Sequence, residues 1–172
     1  MSKDRTVTLS LRISEAAYKA LQEDSKKQNT SINTIANQIL MAYAQHDRHF
    51  KKYGMVKASS PLFARILNTA SDDALIEAAK STGTGELQSI ILSTTGELSV
   101  SKILDWLKRV GTYSNLFDYS EVPHGGRTMV TISHQFGTKG SLFLASYIDS
   151  LFSSVGKQLK ITQLTNSVAF EL

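Results

Sequence analysis

From Thr6 to Ile13 polar and apolar residues alternate without a break. Val7, Leu9, Leu11 and Ile13 fall on one face and Thr6, Thr8, Ser10 and Arg12 on the other. This is the period of a strand with one buried face and one free face. A lone strand has unpaired edges and needs a sheet to join, yet helical patterns follow it directly. Ser14 stands where an N-cap belongs and Glu15 lies in the first turn, where the helix dipole favours an acid, so a helix is expected to about Gln28. Asn29, Thr30 and Ser31 interrupt it. Asn29 tolerates a left-handed conformation, and Ser31 can cap a second helix carrying Ile32, Ile35, Ala36, Ile39, Leu40 and Tyr43 at helical spacing. One strand and two short helices cannot bury these faces within one chain. The pattern therefore asks for a second copy, the two strands pairing as an antiparallel ribbon over four helices. The even residues of both strands then share one outer surface, of a size that a DNA major groove admits.

Residues 6–44 resemble the ribbon-helix-helix DNA-binding domains of the Arc-type repressors. The likeness is carried by the alternating strand, the polar cap directly after it, the helix length, the short turn and the Ser that opens the second helix. It implies double-stranded DNA as the partner, with Thr8, Ser10 and Arg12 as base-reading positions. It further implies phosphate contacts at Ser31 and Ile32, where the second helix begins, and at Thr6. At the turn, where the family often has Gly, this chain has Asn29. Among the strand positions Arg12 is the strongest candidate, because a guanidinium can reach guanine bidentately while Thr8 and Ser10 make shorter, less discriminating contacts.

Charge agrees with that placement. The net charge is +4, and residues 1–57 carry ten Lys or Arg against five Asp or Glu, whereas the remainder carries nine against ten. A basic excess confined to one end is expected of a part that lies against phosphates. At 172 residues and 41% apolar the chain can build a core. It contains no run of 18 apolar residues and no basic-apolar-small leader, so neither a membrane span nor export is expected, and the cytoplasm is the expected location. With no cysteine, disulfides, thiolate metal sites and thiol catalysis are excluded.

The remaining chain divides into residues 49–84, read as a basic linker followed by two short helices, and residues 85–172, read as a second folded domain after the DNA-binding domain of residues 1–48. Pro61 and Ser71 mark the starts of the two helices, and Thr82 to Gly85 read as a loop. Leu87 to Leu92 is a short apolar run read as a central strand, and Ser99 opens a helix with Ile103, Leu104 and Leu107 inward, ending at Gly111. Leu116 to Val122 and Thr128 to Phe136 read as strands around a turn at Pro123 to Gly126. A helix then starts at about Ser141, and Leu159 to Leu164 and Val168 to Leu172 close the chain as strand or hairpin. The expected class is α+β: a ribbon-helix-helix followed by a ferredoxin-like (βαββαβ) domain. In element order this second domain is similar to the regulatory domains of nickel-responsive repressors and to ACT domains, which implies oligomerisation, to a tetramer where the heads also dimerise, and leaves room for a small-molecule effector.

The candidate chemistry is sparse. His134 is in phase with Val130, Ile132 and Phe136 and reads as a hydrogen-bonded core residue, while His124 lies in a turn. With those two scattered histidines no metal site is expected, and no cofactor is implied. Two loops are candidates for effector binding: Thr94, Thr95 and Gly96 after the first expected strand, and Lys139, Gly140 and Ser141, whose N-H groups could form an anion nest at a helix start. Lys139 precedes Gly140, which is the wrong order for a Walker loop. Trp106, Tyr113, Phe117 and Tyr119 could line a pocket, an interface or a core. No Ser-His-acid arrangement appears and the carboxylates are dispersed, so catalysis is not expected. The function expected is that of a DNA-binding transcriptional regulator. The alternatives are an antitoxin or partition factor whose body docks a partner protein, and a chromatin or viral protein that binds DNA with little sequence preference.

Overall fold

The computed structural model describes residues 6–48, 52–54 and 56–172. Its internal contacts separate two compact units, Met1–Gln45 and His46–Leu172. No helix among the described residues is long and apolar enough to cross a membrane.

In the first unit α1 (Glu15–Lys27) and α2 (Ile32–Ala42) pack on each other; a π-helical turn, Tyr43–Asp47, follows α2 and spans the boundary between the units. Both starts follow from capping. Ser14 Oγ accepts from Ala17 N-H at 3.2 Å and Ser31 Oγ from Thr34 N-H at 3.0 Å, each satisfying a donor that the helix cannot. Asn29, at φ 49°, makes the left-handed turn between them. The segment before α1 has no regular structure, because a strand needs a ladder partner and a single copy holds none. Its apolar row lies in solvent: Val7, Leu9, Leu11 and Ile13 are 86, 69, 62 and 48% exposed. Ile35 is the one buried apolar side chain among the described residues of this unit, while Tyr18, Ile39, Leu40 and Met41 are exposed.

The second unit is α+β. In order it contains α3 (Ser60–Thr69), α4 (Asp72–Thr84), α5 (Glu86–Thr95), α6 (Val100–Tyr113), β1 (Asp118–His124), β2 (Arg127–Ser133), α7 (Gly137–Ser153), β3 (Ile161–Leu164) and β4 (Ser167–Glu171). Two hairpins, β1–β2 and β3–β4, join through β2 and β4 into a four-stranded antiparallel sheet of order β1-β2-β4-β3. Val130, Ile132, Val168 and Phe170 face inward and are buried against Ile103 and Leu107 of α6 and Ile148, Leu151 and Phe152 of α7. The opposite face carries small residues, with Ser120, Thr131, Ala169 and Thr162 in one cross-strand row.

The ferredoxin-like order is not formed. Its first strand, expected at Leu87 to Leu92, is helix α5, with Leu87, Ile90 and Ile91 buried at positions i, i+3 and i+4. A short apolar run fits either element, and here helical spacing decides. The expected loop at Thr82 to Gly85 is instead the last turn of α4, where Thr82 and Thr84 hydroxyls donate back to Ala78 O and Lys80 O at 2.9 and 2.8 Å. Helix α6 runs through Gly111 to Tyr113. The stretch 49–84 is likewise more than a connector: α3 and α4 both pack on α7 as part of the second unit.

The α4–α7 contact is close because Gly83 has no side chain. A Cβ there would lie 2.1 Å from Ser150 Oγ and 2.9 Å from the Tyr147 carbonyl oxygen. The hydroxyl can turn away, but the backbone oxygen cannot without moving the helix. Gly83→Ala is expected to destabilise the protein by about 1–3 kcal/mol, read as a lower denaturation midpoint in urea. An unchanged midpoint would mean that the two helices separate freely.

Candidate nucleic-acid interface

Thr6, Thr8, Ser10 and Arg12 are all exposed, and none of their side chains makes a hydrogen bond or ion pair among the described residues. The polar row is therefore free to meet a ligand. At the start of α2, Ser31 Oγ is already engaged with Thr34, at 3.0 Å to its N-H and 2.8 Å to its hydroxyl. The N-H groups of Ile32 and Asn33 have no acceptor among the described residues, as the first donors of a helix do not. Two free N-H groups at the positive end of a helix dipole are suited to a phosphate oxygen. Ser31, expected at a phosphate, is here the residue that shapes the helix start, and the backbone of Ile32 carries the free donor. In a single copy the strand positions and the start of α2 are not joined by any ladder.

The two effector loops are not loops. Thr94 and Thr95 lie in the last turn of α5, where their hydroxyls donate to Ile90 O and Ile91 O at 2.8 Å each, and Gly96 closes the helix. Lys139, Gly140 and Ser141 lie in the first turn of α7, which begins at Gly137 rather than at Ser141. Lys139 Nζ reaches Ala70 O at 3.0 Å and Asp72 Oδ1 at 2.5 Å, joining α7 to the start of α4. A Cβ at Gly140 would sit 2.2 Å from Phe136 Cβ and 3.1 Å from the His134 ring, so this glycine makes room chiefly for Phe136 and eases the fit of the histidine. The N-H groups of Phe136 and Gly137 are taken by His134 Nδ1 at 3.1 Å and Asn166 Oδ1 at 2.9 Å. Those two N-H groups are therefore not available to an anion, and no hydrogen bond joins the two sets of residues.

His134 is a structural residue, as its phase with Val130 and Ile132 indicates. Because Nδ1 accepts from Phe136, the proton of the neutral ring sits on Nε2, which donates to Ser141 Oγ at 2.9 Å; Ser141 in turn donates to Leu164 O at 2.5 Å. Among the described residues no three of His, Asp and Glu gather closely enough to hold a metal ion. Of the four aromatic residues singled out by sequence, Trp106 and Phe117 line a cleft in the second unit together with Phe143 and Tyr147. The latter two were missed, although their spacing of four puts them on one face of α7. Tyr119 instead donates to the Glu121 carboxylate, and Tyr113 stacks on His46 at 6.2 Å.

The chain matches no protein-family model and no curated protein.

Burial holds the His134 imidazole below its ordinary pKa, because the charged ring loses hydration. The unfolded chain then binds this proton first as pH falls. The corresponding stability is complete above about pH 6.5 and is lost as pH drops from there through the folded-state pKa, at no more than about 1.4 kcal/mol per pH unit. His134→Asn, which keeps an acceptor near Nδ1, should flatten the decline in denaturation midpoint between pH 7.5 and 5 relative to the native chain. Parallel declines would show that His134 does not carry it.

Proposed function

We propose that the protein is a DNA-binding regulator whose first unit works as a ribbon-helix-helix dimer. The supporting observation is the exposure of Val7, Leu9, Leu11 and Ile13 in a unit that buries one apolar side chain of its own among the described residues. Burying a side chain of this size is worth about 1.5–3 kcal/mol, and α1 and α2 of one copy have no strand to place beside them. A second copy supplies it. Antiparallel pairing of the two segments covers both apolar rows and turns Thr8, Ser10 and Arg12 of each strand outward together. With two arginines per ribbon, base discrimination comes chiefly from Arg12, and affinity from phosphates at the Ile32 and Asn33 N-H groups and at Thr6. The second unit, rich in buried contacts, is the folded body to which this head belongs.

Selection of sites from random double-stranded DNA by the full chain tests the reading. A defined motif is expected, with two-fold symmetry matching a two-fold ribbon. Arg12→Ala should weaken binding by about 1–3 kcal/mol for each good base contact and relax the motif, while the salt dependence set by phosphate contacts persists. An unchanged motif removes Arg12 from base reading.

Leu11→Asp places a charge in the proposed ribbon core. By sedimentation the native chain should be a dimer or larger and the variant should lose ribbon pairing, with DNA binding lost alongside. DNA binding by a variant that no longer pairs would defeat the ribbon.

A further inference from the structure

Where β2 passes into α7, the buried His134 is held from several directions. Its ring stacks on Phe136, at 15° and 5.4 Å between centroids, its backbone N-H donates to Asn166 O at 2.9 Å, and its Nε2-H reaches Ser141 Oγ near the start of α7. The contact that responds to charge is at the other ring nitrogen, where Nδ1 accepts from Phe136 N-H at 3.1 Å. Only a neutral ring can do this. A protonated imidazole carries hydrogen on both nitrogens, so Nδ1-H and Phe136 N-H would face each other as two donors. Turning the ring over gives no relief, because it also takes Nε2 away from Ser141.

The surroundings offer a positive charge no compensation. Gly140 and Ser141 set the ring against the N-terminal end of α7, where the helix dipole disfavours a cation. The residues packed round it are uncharged: Phe136, Gly140 and Ser141 from the start of α7, and Leu164, Thr165 and Asn166 from the end of β3 and the turn after it. Lys139, the charged residue of the first turn of α7, sends its ammonium to Ala70 O and Asp72 instead. Burial keeps the imidazole pKa below its ordinary value. Proton uptake therefore requires the ring's surroundings to open.

That opening can be local. The connection from β2, which ends at Ser133, to α7, which begins at Gly137, is short, and Gln135 and Thr138 in and beside it are exposed. Gly137, at φ 69°, gives the backbone a pivot there. A rearrangement of this connection also removes the bond from Gly137 N-H to Asn166 Oδ1, which ties α7 to the second hairpin at 2.9 Å. The ladder between β2 and β4, from Met129–Glu171 to Ser133–Ser167, lies outside it.

We propose that His134, Phe136, Gly137 and Asn166 form an acid-released latch: a proton taken up at His134 Nδ1 breaks the Phe136 and Gly137 hydrogen bonds and frees the start of α7 from the second hairpin, while the sheet stays paired. The latch lies wholly in the second unit and does not depend on the DNA-binding reading of the first.

Amide hydrogen exchange of the full chain, corrected for the intrinsic effect of pH on exchange, tests this at pH 7.5 and 5.5. Protection of the Phe136 and Gly137 amides should fall severalfold, and at most about tenfold, the limit that one proton sets when the open state titrates near pH 6.5. Their exchange at pH 5.5 should also be insensitive to low urea, as for an opening that exposes little surface, whereas the Ile103 and Leu107 amides in α6 should respond to urea as the whole unit does. His134→Asn, which keeps an acceptor and takes no charge, should hold the Phe136 and Gly137 protection constant between the two pH values, and His134→Gln serves if that variant does not fold. Asp72→Asn should leave the fall in place. Protection that does not change with pH, a urea dependence at Phe136 and Gly137 equal to that of α6, the same fall in a folded His134 variant, or a fall abolished by Asp72→Asn would overturn the proposal.

Discussion

A short buried relay holds the second unit together: His134 Nε2-H to Ser141 Oγ at 2.9 Å, and Ser141 to Leu164 O at 2.5 Å. Its members come from the end of the first hairpin, the start of α7 and the last residue of β3, beside the turn of the second hairpin. It lies beside the place where β2 and β4, far apart in sequence, pair from Met129–Glu171 to Ser133–Ser167. Asn166 reinforces it, accepting from Gly137 N-H through its side chain and from His134 N-H through its carbonyl, both at 2.9 Å. In a low-dielectric interior such a set is strong when complete and costly when one member is lost. Gly140 borders the same arrangement: a Cβ there would clash with Phe136 Cβ at 2.2 Å and crowd the imidazole at 3.1 Å.

The two units solve the problem of burial in opposite ways. The second covers α7 on several sides, with the sheet, α3, α4 and α6 all packed on it, and its largest aromatic and branched side chains are fully enclosed. The first leaves a complete apolar row in water. A chain that can close one core so thoroughly does not leave another open through lack of apolar residues; the open row is consistent with a surface meant for a copy of itself. That contrast, more than any single residue, favours an associating head over an independent small domain.

What could be read from the amino acids follows from where local rules decide. Ser14, Ser31 and Ser71 each cap the helix they precede, and Asn29 takes the left-handed turn expected of it, because capping and turn chemistry act over three or four residues. The first hairpin was visible for the same reason, while the C-terminal stretch, readable as a strand or a hairpin, is the hairpin β3–β4. The fold of the second unit was lost at Leu87 to Leu92, where a six-residue apolar run suits a strand and a helix equally and neighbours decide. Lys139 could not be read as a tie to Asp72, since that partner is distant in sequence. The cleft was half legible: Trp106 and Phe117 stand out as aromatics, but nothing local distinguishes Phe143 and Tyr147 on α7 from the core residues between them.

The edges of the sheet bear on solubility. Both outer strands are unpaired on one side, and such edges invite further strands. Here β3 has only four residues, and β1 carries Asp118, Glu121 and Pro123, the last with no N-H to offer. Both edges are thus poor templates. Val7 to Ile13, by contrast, contains neither proline nor acid. The chain discourages further strand addition where it has a finished sheet, and on the proposed reading the one segment without such guards is the one that pairs with its own copy.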